Sequence, residues 1–168
     1  GASSIGTRVM HLLRDYDVRL GLFDPYASAA EAGALHVDLI GDLAELAQRS
    51  RLLSIHAPEV AETYHMVSRE VLSALPDGAT LINTSRGSLV DQDALLDELA
   101  TARIGAILDV TDPDVLPSGH PLYHLPNVFL TPHLAGSMGN ELRRLGEAVL
   151  SEVERFAAGL PFANAIAP

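Results

Sequence analysis

Cysteine is absent from the 168 residues, and so is lysine: the 11 basic side chains are all arginines, set against 22 aspartates and glutamates for a net charge of −11. Without cysteine there is no disulfide framework, no zinc–thiolate centre and no thiol nucleophile. Without a basic cluster the chain has nothing to lay along a phosphate backbone, so nucleic acid is not an expected partner, and an acidic small molecule must be met by individually placed arginines. Also missing are any apolar run near the roughly 18 residues of a membrane span and, at the first residues, the basic-then-apolar layout of a signal peptide. No membrane partner is therefore expected, and a cytoplasmic globule is. With 48% apolar residues, a chain of this length can bury a sizeable core.

What the chain does have is alternation. Gly1 to Gly6 (GASSIG) reads as a turn feeding an amphipathic helix with Val9, Met10, Leu12 and Leu13 on its apolar side. Val18 to Phe23 follows as a strand stopped by Asp24-Pro25, then a helix over Ser28 to Ala34, a strand over Val37 to Ile40 and a helix over Asp42 to Gln48. Arg51 to His56 is the next strand, Ser68 opens a helix to Leu75, Ala79 to Asn83 is a strand, and Asp91 caps a helix to about Ala102. Gly105 to Val110 and Val128 to Leu130 are the last strands, separated by a loop with four prolines, and a long amphipathic helix runs from about Gly139 to Ala158. Continuously apolar strands alternating with helices predict an α/β fold: a Rossmann-like doubly wound parallel sheet with helices on both faces. One dinucleotide-binding domain over residues 1–160 and a tail over 161–168 are expected.

In such sheets ligands bind beyond the C-terminal strand ends, where Asp24, His56, Asn83 to Arg86, Asp109 to Asp114 and His133 fall. Gly1 and Gly6 with Asp24, eighteen residues after Gly6, fit a dinucleotide turn in which the acid receives the adenosine ribose hydroxyls and repels a 2′-phosphate, favouring NAD. Ser3 stands where that motif wants its second glycine, and the alternative is a helix start capped by Ser3 or Ser4 beside a surface aspartate. Arg86, in NTSRG, is either a solvated arginine or a two-bond holder for a carboxylate. Asp109, Asp112 and Asp114 are either a solvated acidic loop or the source of a hydrogen bond that raises a histidine's pKa. His133, between Pro132 and the small residues Ala135, Gly136 and Ser137, is a candidate proton carrier with room for a ligand beside it. His120 and His124 are badly spaced for metal ligation, and no metal is expected.

The blocks NTSRGSLVD (Asn83 to Asp91), LDVTDPDVLP (Leu108 to Pro117), HPLY (His120 to Tyr123) and NVFLTPHLAGS (Asn127 to Ser137) together resemble the signature blocks of the D-isomer-specific 2-hydroxyacid dehydrogenases. The resemblance implies a catalytic set of Arg86, Asp114 and His133, with hydride transfer between NAD and the C2 carbon of a 2-hydroxy or 2-keto acid. Asp114 takes the place of the family acid, five residues after Asp109 and nineteen before His133, although that acid is usually glutamate. The resemblance further implies cofactor contacts from Gly1, Ser3, Ser4, Ile5, Gly6 and Asp24 at the turn and from His56, Ala57 and Pro58 near the adenosine and ribose. Around the nicotinamide it implies Thr84, Ser85, Arg86, Asp109, His133 and Gly136. It implies a homodimer formed through this domain.

In the family a strand precedes the glycine turn, and a separate substrate domain completes the pocket. The chain opens inside the turn, so the expectation is a fragment with two unpaired inner sheet edges and little activity alone. Two other readings are a dinucleotide-sensing binding module and a catalytically inactive homologue.

Overall fold

The computed structural model of the chain describes residues 1–165; of the expected tail, residues 166–168 lie outside the described residues. Its contacts divide the chain into a unit from Gly1 to His133 and a second beginning at Leu134. Sequence patterning carries the first domain on to residue 160.

Local chemistry starts most of the helices. In the first unit these are α1 (Ser4–Leu13), α2 (Ala29–Leu35), α3 (Leu43–Gln48), α4 (Arg69–Ala74) and α5 (Gln92–Ala100). The hydroxyl or carboxylate before each accepts an otherwise orphaned backbone N–H. Asp42 takes the Glu45 amide at 2.8 Å, Asp91 takes the Ala94 amide at 3.0 Å, and Ser28 and Glu31 bond reciprocally as a capping box.

The strands are β1 (Gly21–Leu22), β2 (Asp38–Leu39), β3 (Leu52–Ile55), β4 (Thr80–Asn83), β5 (Gly105–Leu108) and β6 (Val128–Leu130). Among the described residues all pairings are parallel, but they form two sheets: β1 with β2, and β3-β4-β5-β6 in that order. Among the described residues no strand pairs with the inner edges of β1 and β3. The paired length of β1 is two residues where the sequence reads six of strand character, because a ladder needs a partner and β1 has one only at Gly21 and Leu22.

One face of the four-stranded sheet is sealed. Leu53, Ile55, Leu81, Ala106 and Leu108 point into a core with Leu46 and Ala47 of α3, Val71 and Leu72 of α4, and Ala94, Leu95 and Leu99 of α5. Each fully buried leucine there contributes about 1.5–3 kcal/mol. Strand burial alternates, so Leu52, Ile107 and Phe129 on the opposite face remain exposed. The expected cover on both faces is thus met on one face within this unit. A smaller cluster of Met10, Leu22 and Leu35 joins α1 and α2 to β1.

Three short 3₁₀ turns, at Ala61–Thr63, Gly87–Leu89 and Pro121–Tyr123, escape sequence patterning because three residues hold no period. The second unit contains α6 (Asn140–Ala157), whose apolar residues Leu142, Leu145, Val149, Val153 and Phe156 are exposed. Phe162 stacks on Phe156, and Glu152 accepts the backbone amides of Ala163 and Asn164. Among the described residues no helix is long and apolar enough to cross a membrane.

Arg103 closes the end of α4. It donates to the carbonyls of Leu75 and, at 2.8 Å, Leu72, and pairs with Glu98 at 2.7 Å. The guanidinium holds the Glu98 carboxyl below the ordinary carboxylate value of 4.5. Arg103→Ala is expected to cost about 1–3 kcal/mol, measured by urea unfolding. The Glu98 contribution is complete above pH 4.5 and is lost as pH falls through its lowered native value, so the variant's deficit should shrink over that acid window.

Candidate active site

Strand register sets the site's geometry. Ile55 is the Cα partner of Asn83, Asn83 of Leu108, and Leu108 of Leu130, so four strands end level in one row. The residues just beyond that row are His56, Thr84 to Arg86, Asp109 and Thr131 to His133.

Asn83 is buried and builds the turn that presents Arg86. Its Nδ2 donates to the Arg86 carbonyl at 2.8 Å, and its Oδ1 accepts the Ser85 amide at 3.0 Å. Ser85 Oγ donates to the Ile55 carbonyl at 2.7 Å, which fixes this turn to the tip of β3. Arg86 stays exposed, with Nη1 donating to the Ser85 carbonyl at 2.7 Å and Nε 3.7 Å from Glu59. Thr84 is exposed.

Gly87 makes a close approach to the loop after β5. A Cβ there would stand 2.1 Å from the Thr111 carbonyl oxygen, so only glycine lets the β4 turn pack on the loop after β5. Gln92, on the first turn of α5, donates Nε2 to the Asp112 carbonyl at 2.6 Å and accepts the Asp112 amide at 2.9 Å. Thr111 Oγ1 lies 2.8 Å from the Pro113 carbonyl and 3.2 Å from that of Asp114. Backbone and amide clamps therefore fix this loop, and the Asp114 carboxylate stays exposed at its surface.

Of the three aspartates, the buried one, Asp109, is tied to the His133 segment. Thr131 Oγ1 donates to its carboxylate, and the His133 amide donates to its carbonyl at 3.1 Å. His133 has φ 55, in the left-handed region, which turns the chain off the end of β6 and leaves the residue exposed. Among the described residues no hydrogen bond joins the Asp114 carboxylate to the His133 ring. Gly136 belongs to the second unit, exposed and with open space where a Cβ would point. His120 caps a turn, its Nδ1 accepting the Leu122 amide at 3.3 Å.

At the start of the chain, Ser3 does cap α1, accepting the Gly6 amide at 3.3 Å. The amides of Ser4 and Ile5 are left in the helix's unsatisfied first turn, on exposed residues. A Cβ on Gly6 would come within 2.0 Å of the Gly1 carbonyl oxygen, so glycine is required for this tight a turn. Asp24 accepts the Ala2 amide at 2.7 Å on one carboxylate oxygen and the Tyr26 amide at 2.9 Å on the other. His56 is half-buried, its Nε2 3.0 Å from Ser54 Oγ, and burial, with a smaller push from the Gly1 amino group, lowers its pKa below 6.5. Ala57 and Pro58 continue from it.

The family model for the D-isomer specific 2-hydroxyacid dehydrogenase NAD binding domain matches residues 1–135. The chain belongs to that family. It is 34% identical to a glyoxylate reductase of Korarchaeum cryptofilum over 95% of this chain and 48% of the relative. It is 29% identical to a D-3-phosphoglycerate dehydrogenase of Methanocaldococcus jannaschii over 95% of this chain and 30% of the relative. The apo D-mandelate dehydrogenase of Rhodotorula graminis superposes with a TM-score of 0.87 at 26% identity, covering 100% of this chain and 50% of that one. Such curated relatives are longer: the chain spans between 30% and 55% of their length.

The family's NAD fits the residues at the amino-terminal turn. Gly6 allows the tight approach, α1 offers first-turn amides to a pyrophosphate, and each Asp24 oxygen has a lone pair left for a ribose hydroxyl. Sequence reading missed Asn83, Gln92 and Thr131 as positioning residues. Asn83 had a signal, since asparagine before small polar residues bonds its own turn; Gln92 and Thr131 act on residues 20 and 22 positions away and had none.

Gly87→Ala is expected to lower stability by about 1–3 kcal/mol through backbone overpacking, measured by urea unfolding. For His56 the unfolded chain takes up a proton before the folded one, so its stability contribution is complete above pH 6.5 and declines as pH falls from 6.5 through the lowered native value. His56→Gln should flatten that part of the stability profile.

Proposed function

We propose that the chain is the cofactor half of an NAD-dependent dehydrogenase that interconverts a D-2-hydroxy acid and its 2-keto acid. The observation carrying this reading is the level row of strand ends, which sends Arg86, the Asp109 to Asp114 loop and His133 off three adjacent strands at one edge. Bound NAD supplies the hydride acceptor or donor. Arg86 holds the substrate carboxylate through its guanidinium fork. His133 takes the C2 hydroxyl proton in oxidation and returns it in reduction, and Asp114 orients the imidazole and stabilises its cation.

For the cofactor, Gly1, Ser3, Ser4, Ile5 and Gly6 receive the pyrophosphate, Asp24 the adenosine ribose, and His56, Ala57 and Pro58 flank them. Thr84, Ser85, Arg86, Asp109 and His133 line the nicotinamide side. The dinucleotide-binding domain runs over residues 1–160, with 161–168 as a tail, in a cytoplasmic homodimer. Substrate sits between this domain and a second one, so this chain alone turns over little.

Exposed Asp114, with no bond to His133, favours a second reading: an NAD(H)-sensing module or an inactive homologue. One measurement tests the NAD preference that the readings share, and a second separates them. NADH should bind the chain more tightly than NADPH in a fluorescence titration, and Asp24→Ala should cost about tenfold in NADH affinity; equal binding of the two cofactors overturns the NAD preference. In a protein that carries the chain and turns over 2-keto acids, His133→Asn should lower turnover by about 100-fold or more with NADH affinity kept. If a protein that carries the chain binds NADH but turns over no member of a keto-acid panel, the sensor or the inactive homologue is favoured instead.

A further inference from the structure

Glu59 is a feature of the site that the proposed reaction does not use. It follows His56-Ala57-Pro58 off the tip of β3, and its carboxylate has two neighbours. Oε1 accepts from Ser88 Oγ at 2.5 Å, and Oε2 lies 3.7 Å from Arg86 Nε. The anchor is itself fixed: the Ser88 carbonyl accepts the His65 amide at 2.9 Å, and Val67 bridges to Val90. The Glu59 and Arg86 side chains are 56% and 54% exposed, so solvent weakens their mutual field without abolishing it. A fixed negative charge therefore stands beside the guanidinium assigned to the substrate carboxylate.

We infer that Glu59 sets the charge of the acid this site accepts, admitting a single carboxylate and penalising a second negative group next to it. This rests on the reading of Arg86 as the carboxylate holder. One carboxylate is matched by the hydrogen-bonding fork of Arg86. A second anionic group beside the first meets the Glu59 carboxylate, and like charges at short range repel. Glu59→Gln tests the charge alone, since the amide oxygen can still accept from Ser88 and the side-chain volume hardly changes.

The probes are oxamate and oxalate, nearly isosteric and differing by one charge at neutral pH. Each is titrated into a ¹⁵N-labelled, NADH-loaded protein that carries the chain and turns over 2-keto acids, while the Arg86 Nε–H resonance is followed. The wild-type chain should prefer oxamate. Glu59→Gln should raise oxalate affinity by roughly threefold to tenfold, and oxamate affinity by less. Ser88→Ala, which frees the carboxylate from its anchor, should move the oxamate-to-oxalate ratio the same way by a smaller factor. An unchanged ratio in Glu59→Gln, with oxamate binding that Arg86→Ala abolishes, overturns the role of Glu59 and leaves that of Arg86 standing. Oxamate binding that is absent, or indifferent to Arg86→Ala, overturns both.

Discussion

The parallel register of β3 to β6 is the constraint on which the site depends. Parallel pairing puts every C-terminal strand end on the same side, and here the four ends fall in one row from Ile55 to Leu130. Residues 75 or more positions apart in sequence, such as His56 and His133, are thereby brought to one edge. The hydrogen bonds across that edge, Ser85 to Ile55 and Thr131 to Asp109, are consequences of the row.

Arginine does two separate jobs in this acidic chain. Arg103 is largely enclosed and spends its donors on helix carbonyls and Glu98, so its charge is neutralised within the fold. Arg86 is half-exposed, and apart from one carbonyl bond and the longer contact with Glu59 its guanidinium remains open to a ligand. Their surroundings, more than the residue type, separate the structural arginine from the candidate binding one.

How much was legible follows from the range of each interaction. Ser28, Asp42, Ser68 and Asp91 mark helix starts because a cap acts within three residues. The row of strand tips was legible too, because apolar strands followed by polar turns need no partner to be recognised. The paired length of β1 was not, since pairing is decided by β2, and neither were Gln92 and Glu59, whose partners lie 20 and 29 positions away. His133 was found by its surrounding block, while the hold of buried Asp109 on that segment emerges only once β5 lies against β6.

The residues that shape the site and those that would touch a ligand are different sets. Asn83, Gly87 and Asp109 are buried and carry the geometry, whereas Arg86, Asp114 and His133 stand in solvent and support little of the core. Exposed positions tolerate substitution at small cost in folding free energy. Folding therefore depends little on the candidate ligand-facing side chains, and one scaffold can carry different chemistry at this edge without being rebuilt.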